Sequence, residues 1–217
     1  MIRYHFIRHA ESMGNVNNHL ICGRSNHLPL SQRGKEQSEF LAQRLQQENW
    51  QFDKIYCSVA ERAKATAHIA LDALGISQAE LHYSDQLVEV SKGEWEGKVR
   101  AELYTPEIKA EMLANSYHFK SPGGESQEEV EDRMENWLRD SLSQLQQPSA
   151  EIAIFTHGFA IKSLFRRIMQ SEPIMVYRTI IHNTSISSLQ IDEKDWLVER
   201  MNDHQHLTHT DFVGHYW

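Results

Sequence analysis

Residues 2–7, IRYHFI, form a short and largely apolar run that breaks at Arg8 and His9 into polar, glycine-containing sequence, and they read as a strand opening the domain. The next apolar spacing is helical. In "LPLSQRGKEQSEFLAQRLQQ", Leu41 and Leu45 stand four apart on one face, behind Ser31, a residue suited to an N-cap. "FDKIYCS" predicts a second short strand. Ala63, Ala67, Ala70, Leu71 and Leu74 then follow helical spacing and stop at Gly75, a natural C-terminal breaker.

Residues 98–121 are less regular. Leu103, Ile108, Met112 and Leu113 fit a helix imperfectly and Pro106 interrupts it, so this stretch predicts a helical excursion from the main pattern. From Glu128, the run Val130, Met134, Trp137, Leu138, Leu142 and Leu145 predicts an amphipathic helix ended by Pro148. Ser126, with Glu129 three residues on, has the spacing of a capping box. "EIAIFTHG" holds four apolar residues in a row, as expected of a strand covered on both faces. A helix bearing Ile161, Leu164, Phe165, Ile168 and Met169 follows, and "SISSLQI" and "WLVERM", joined by "DEKD", predict a closing hairpin. Alternating strands and helices imply an α/β fold, a three-layer α/β/α domain with a mostly parallel central sheet, occupying residues 1–217 as one domain.

Composition narrows the function classes. Hydrophobic residues at 40% and charged residues at 24% fit a globular chain without linkers. A net charge of -8 argues against a general nucleic-acid or anionic-membrane binder, which presents a net basic surface. An anionic ligand would therefore need a local pocket. Two cysteines, Cys22 and Cys57, do not make a disulfide scaffold, and no apolar run has the length of a membrane span or a secretory signal, so cytoplasm is the expected location. No isolated apolar stripe marks an oligomer interface.

Arg8 and His9, Arg62, Glu89 and His157 each stand just after a predicted strand or its extension. In open α/β sheets the carboxyl ends of the strands are where ligands bind, so the shared position is itself a signal. A lone strand-end Arg-His pair is more often a salt bridge and a loop cap. A second histidine leaving a second buried strand in "THG", with Gly158 allowing close backbone approach and a helix N-terminus behind it, changes that reading. Arg62, in "CSVAERAKATA", would by itself read as an exposed helix arginine paired with Glu61. Beside Arg8 and two histidines it completes a cationic cup suited to a tetrahedral dianion, since a guanidinium offers planar, bidentate contacts to phosphate oxygens. Such a cup in an acidic chain suggests a phosphate ester.

"RHAESMGN" resembles the Arg-His-Gly-x-Thr/Ser-x-x-Asn motif of the histidine phosphatase superfamily, the group that contains phosphoglycerate mutases. The likeness continues through "LPLSQRGKEQ", "CSVAERAKATA", "LVEVSKGEWEG", "SPGGES", "THG", "NTSIS" and "MNDHQHL", in the family's order and over almost the whole chain. The resemblance implies a phosphohistidine mechanism in which His9 attacks phosphorus in line, its other ring nitrogen held by a backbone carbonyl. It makes Arg8, Arg62 and His157 the clamp on the non-bridging oxygens, Asn15, Ser58 and Gly158 further substrate contacts, and Glu89 the proton donor to the leaving alkoxide. Ala10 stands where the family most often has glycine. No cofactor and no metal are implied, and the histidines His204, His206 and His209 of the tail are poorly supported as a zinc site.

Within such a family a mutase needs extra cations to retain a bisphosphorylated intermediate. The segment between Glu89 and "GGES" is shorter here than in the mutases and lacks their adjacent arginine pair; its stretch "KVRAELYTPEIKAEMLANSYHFKSPGGES" holds only the scattered Lys98, Arg100, Lys109 and Lys120. The expectation is therefore a phosphomonoesterase. A cofactor-dependent phosphoglycerate mutase and a non-catalytic phosphate-ester-binding module stand as alternatives. The cup reads only the phosphate, so a small-molecule ester and a phosphoprotein both fit. The leaving group is expected to meet the 98–121 segment, with Tyr104, Tyr117, His118 and Phe119 as candidates. "HNTSIS" is expected to place the hairpin beside His157, and Trp95 to be core or pocket wall.

Overall fold

The computed structural model describes residues 1–192 and 195–208; Glu193 and Lys194 of the hairpin connection, and His209, lie outside the described residues. In chain order the elements are β1 (Ile2–Arg8), α1 (Met13–Val16), α2 (Gln32–Gln47), β2 (Lys54–Ser58), α3 (Glu61–Leu74) and β3 (Leu81–Ser84). After these come α4 (Arg100–Leu103), α5 (Pro106–Ala114), α6 (Gln127–Ser143), β4 (Ala150–Thr156), α7 (Gly158–Ile168), α8 (Met175–Arg178), β5 (Ile186–Asp192) and β6 (Asp195–Asp203). The strands form one sheet in the order β3-β2-β4-β1-β5-β6. The first four are parallel to one another, and the closing hairpin β5-β6 runs antiparallel, joined to the sheet through β1.

Two hydrophobic cores cover the two faces of the sheet. Tyr4, Phe6, Ile152 and Ile154 point to one face, where Val130, Met134 and Leu138 of α6 and Ile161, Leu164 and Phe165 of α7 pack on them. Ile7, Ala153 and Phe155 point to the other, against Leu41 and Leu45 of α2 and Ala63, Ala67 and Leu71 of α3. Burial on both faces is why β4 reads as an unbroken apolar run. No described helix is long and apolar enough to cross a membrane.

The helix boundaries follow local chemistry. Ser31 Oγ accepts from Gly34 N at 2.9 Å, and Ser126 and Glu129 exchange side-chain and backbone hydrogen bonds at 3.2 and 2.8 Å, the reciprocal capping box. Gly75 ends α3 in the left-handed region at φ 69°. Two expectations change. Pro106 starts a helix rather than interrupting one, because at the first helical position its missing N–H is not needed and Thr105 Oγ1 accepts from Ile108 N. Helix α6 ends at Ser143, before Pro148, with Leu145 packed on the core from outside the helix. The strand ahead of Glu89 is implied in the sequence only by the placing of that residue and has no range there; it is β3, four residues at the sheet edge that bury only Leu81 and so carry no apolar alternation to read.

Candidate active site

Parallel register brings the candidates together. Arg8 is level with Thr156 and Cys57 with Phe155, so His9 and His157 leave adjacent strands at one height, with Ser58 one residue short of them on β2. Ser84 is level with Ser58, and the chain turns from there through 85–87 to bring Glu89 to the same edge. The cleft is thus at the carboxyl ends of the parallel strands.

His9 is 4% exposed. Its Nδ1 lies 2.7 Å from the Ala10 carbonyl oxygen, an acceptor only, so Nδ1 carries the proton and Nε2 the lone pair. Arg62 Nε donates to that Nε2 at 3.2 Å. Burial, reinforced by Arg62 and Arg8, holds the His9 imidazole well below the ordinary histidine range, so the ring is neutral around pH 7. Ala10 is not among the residues with positive φ, its methyl is fully buried, and its N–H donates to Thr66 Oγ1, so alanine replaces the family's glycine here without backbone strain.

Arg62 turns inward instead of pairing with Glu61, which takes Lys64 at 3.0 Å. Its Nη1 donates to the carbonyls of Arg24 and Ser25 at 3.0 and 3.1 Å, which fixes the plane of the guanidinium. That loop is itself held by Glu96, whose carboxylate accepts from Arg24 N and Ser25 N. Arg8 is anchored by Nη1 to Ile181 O at 2.6 Å. A Cβ at Gly158 would come within 3.1 Å of Arg8 Nε, so the close approach expected of this glycine is to the arginine of the cup.

His157 is fully buried, with its ring centroid 5.0 Å from that of His9. Its Nε2 meets Ser58 Oγ at 2.8 Å, while its Nδ1 has no hydrogen-bond partner among the described residues. Ser58 is fully buried and is spent on His157 and on Ala60 N, so it positions the second histidine and does not line the cleft. Burial, with Arg62, His9 and Arg8 adding to it, lowers the affinity of His157 for a proton as well. Asn15 lines the cleft, with Oδ1 accepting from Ser12 N and Oγ at 3.0 and 3.1 Å.

Glu89 sits at the N-terminus of α7, where its carboxylate accepts from Phe159 N at 3.1 Å and Ala160 N at 3.2 Å, and from Val90 N at 2.9 Å. Helix polarity and orphan amides favour a negative group there. Beside it are two lysines that the sequence reading missed. Lys162 is 8% exposed, and burial pulls its ammonium down to about 8; burial lowers Lys92 too. A charged residue inside the apolar run of α7 was the available signal for Lys162, whereas Lys92 offered only its nearness to Glu89.

Arg8, His9, Asn15, Arg62, Glu89, Lys92, Gly158 and Lys162 line a cleft of about 1080 Å³, whereas His157, like Ser58, is fully buried and is not part of its lining. Of the expected leaving-group residues, Tyr104 lines it, along with Met112 and Leu113 of α5, but Tyr117, His118 and Phe119 do not. Tyr117 lies under Arg166, His118 pairs with Glu128, and Phe119 and Tyr104 both pack on Trp95, which is a supporting wall behind the cleft. Arg100 and Lys109 reach the cleft, whereas Lys120 is drawn away to Glu129. The "PGGES" block buttresses the rim: Glu125 accepts from Ser91 N, Arg24 and Arg133, tying the Glu89 segment to the loop that grips Arg62. Gly93, at φ 49°, is required where a Cβ would fall 2.2 Å from Pro122 O.

The "HNTSIS" segment sits beside His9 and not His157, because β5 pairs with β1: Asn183 Nδ2 donates to His9 O at 2.9 Å and Thr184 N to Arg8 O at 3.0 Å. In the tail, His204 stacks on His182 and His206 meets Thr184 and Arg44. Among the described residues no group of three or more His, Cys, Asp or Glu is placed to hold a metal ion.

Curated relatives cover the chain nearly end to end. Phosphoserine phosphatase 1 of Hydrogenobacter thermophilus is 25% identical over 212 residues, 95% of each chain. A probable phosphoglycerate mutase, GpmB, of Salmonella choleraesuis is 28% identical over 214 residues, again 95% of each. Among solved structures, a phosphoserine phosphatase variant from Entamoeba histolytica in complex with phosphoserine superimposes with a TM-score of 0.81 at 25% identity, covering 95% of this chain and 100% of that one. The alpha-ribazole phosphatase from Shigella flexneri gives 0.76 at 26% identity, over 93% and 96%. Residues 4–204 match the model of branch 1 of the histidine phosphatase superfamily, and the chain belongs to that family.

Proposed function

We propose that this protein is a phosphomonoesterase that works through a phosphohistidine on His9. The observation carrying the proposal is the state of that imidazole: neutral, with Nδ1–H fixed on a backbone carbonyl, the Nε2 lone pair accepting from the buried Arg62 guanidinium, and Arg8 near enough to lower the ring's affinity for a proton further. A neutral nucleophile needs no base to activate it. An entering phosphoryl group takes over the Nε–H of Arg62, and its oxygens meet Arg8, Arg62 and the unspent Nδ1 of His157. With Nδ1 as the donor, the Ser58 hydroxyl supplies the hydrogen bond to Nε2 and so sets the tautomer. Nε2 of His9 then bonds to phosphorus as the ester P–O bond breaks, and the arginines neutralise the charge on the equatorial oxygens. Glu89 gives its proton to the departing alkoxide. A water that replaces the alcohol gives a proton back to Glu89 as it attacks phosphorus, the P–N bond breaks, and inorganic phosphate leaves with His9 restored.

The names of the relatives support both hydrolysis and phosphoryl return. Lys92, Arg100, Lys109 and Lys162 on the cleft wall favour the second, mutase reading, since a retained bisphosphate needs cations beyond the cup. A steady-state screen separates the possibilities: phosphoserine, 3-phosphoglycerate with and without a bisphosphate primer, α-ribazole 5′-phosphate and p-nitrophenyl phosphate, with released phosphate and isomer read separately. The proposal expects phosphate release without primer. Primer-dependent isomerisation would replace it with the mutase, and binding without turnover with a regulatory module.

A further inference from the structure

Residues 9–11 leave β1 and belong to no strand or helix, yet every backbone group around the nucleophile has a partner. His9 N donates to Thr156 O and Glu11 O accepts from Ser31 N, both main-chain bonds. The groups between them go to side chains. His9 O accepts from Asn183 Nδ2 at 2.9 Å, and Ala10 N donates to Thr66 Oγ1 at 3.0 Å. Ala10 O accepts from the His9 ring at 2.7 Å, and Glu11 N donates to Gln37 Oε1 at 2.8 Å. The peptide planes on either side of Ala10 are thus each held at both ends, as a strand ladder would hold them.

Thr66 does more than fill one of these places. It is fully buried on α3, four residues after Arg62, and its hydroxyl donates to Arg62 O at 2.7 Å. Alone, that bond is a common habit of threonine inside a helix. Because the hydroxyl proton is spent there, only lone pairs face Ala10 N. The Thr66 oxygen therefore joins the residue after the nucleophile to the backbone of the arginine whose Nε–H points at the nucleophile's Nε2. Carbonyls of Gly23, Arg24 and Ser25 hold the far end of that guanidinium, so the 3.2 Å between Arg62 Nε and His9 Nε2 is set from both sides. Thr66 itself does not line the cleft.

We infer that Thr66 is a positioning residue for attack by His9: its hydroxyl holds the Ala10 backbone, and through the Ala10 carbonyl the His9 tautomer, in register with the Arg62 clamp. This rests on the phosphohistidine reading and adds to it a residue that touches neither substrate nor the reacting atoms. Valine has the shape of threonine, but its methyl cannot accept and needs more room than the 3.0 Å to Ala10 N. The Ala10 N–H is then buried without a partner, the residue turns to find one, and its carbonyl turns with it. His9 Nδ1 loses its fixed acceptor, and a fraction of the rings carry the proton on Nε2, where no lone pair remains to attack. Phosphate binding should change little, because Arg62 keeps its loop carbonyls and Arg8 its bond to Ile181 O.

The test compares native, Thr66→Val and Thr66→Ser enzymes on p-nitrophenyl phosphate. The His9 ring nitrogens are followed by long-range proton–nitrogen NMR of histidine-labelled protein and assigned by their absence in His9→Ala. Thr66→Val should cut kcat about thirtyfold with KM within about threefold of native, and show both His9 tautomers. Thr66→Ser keeps both hydrogen bonds, so kcat should return to within about threefold of native with the Nδ1–H tautomer alone. A native kcat in Thr66→Val overturns the inference, even if that variant unfolds more easily, because Thr66 would then serve stability only. So does a serine variant no better than the valine variant, or a lost kcat with the tautomer unchanged. If Thr66→Val does not fold, Thr66→Ala removes the hydroxyl without added bulk and is judged by the same criteria. If the native enzyme turns over no ester, the phosphohistidine reading fails, while the tautomer comparison still decides the role of Thr66.

Discussion

Replacing Lys162 by methionine should make the fold more stable at neutral pH. A lysine ordinarily releases its proton near 10.5, and burial pulls Lys162 to about 8. Below pH 8 the folded chain carries an ammonium that the unfolded chain would solvate better, and folding bears that cost in full. Between pH 8 and 10.5 the folded chain sheds the proton and the unfolded chain keeps it; because the unfolded state then binds more protons, stability rises with pH across the window. Above it the cost has gone. At about 1.4 kcal/mol per pH unit the difference amounts to about 3 kcal/mol. Methionine has similar length and no charge, so Lys162→Met should recover much of this at pH 7 and progressively less as the pH rises. Urea denaturation followed by tryptophan fluorescence at pH 7, 8, 9 and 10 measures it, in phosphate-free buffer because phosphate in the cup would stabilise the native state. The expected pattern is a variant more stable by about 1–3 kcal/mol at pH 7, the advantage shrinking toward pH 10. A variant less stable at pH 7, or an advantage that does not change with pH, would refute the reasoning.

Three other substitutions probe separate parts of the account. Glu89→Gln should slow esters of poorly acidic alcohols far more than p-nitrophenyl phosphate, whose leaving group needs little protonation; equal slowing in steady-state assays would remove Glu89 from proton transfer. Arg62→Lys keeps the charge but loses both the planar fork and the Nε–H aimed at His9, so kcat should drop roughly a hundredfold, and an unchanged kcat would take Arg62 out of the clamp. Ser126→Ala removes the side-chain half of a capping box, and denaturant titration should show a loss of about 1 kcal/mol with little change in turnover of p-nitrophenyl phosphate.

Much of this site was readable in the sequence because its residues sit where patterns are strong. His9 and His157 end the two most deeply buried strands, and register then forces them together. Arg62 was readable as part of a cup, but its inward turn depends on carbonyls of a loop distant in sequence, which no local pattern encodes. The same holds for Ser58, whose partner His157 is 99 residues away, and for the placing of "HNTSIS" beside His9, which required knowing that β5 pairs with β1. Around the cleft, local reading was right for Tyr104 and misled for Tyr117, His118 and Phe119, which the chain turns away, while Lys92 and Lys162, separated by 70 residues, line it unannounced. Capping residues such as Ser31, Ser126 and Gly75 marked helix ends well because their chemistry is local, while Pro106 showed that one residue can either break a helix or begin it, depending on what precedes it.

Trapping the phosphoenzyme tests the mechanism most directly. Glu89→Gln protein is mixed with p-nitrophenyl phosphate, whose first step needs no acid, quenched in base, digested and analysed by mass spectrometry, since phosphohistidine survives alkali and decays in acid. The mechanism predicts one phosphoryl group on the peptide containing His9, released on acidification, and none in the His9→Ala, Glu89→Gln double variant. Turnover of the ester with no label on that peptide, or a label that persists when His9 is replaced, would contradict it.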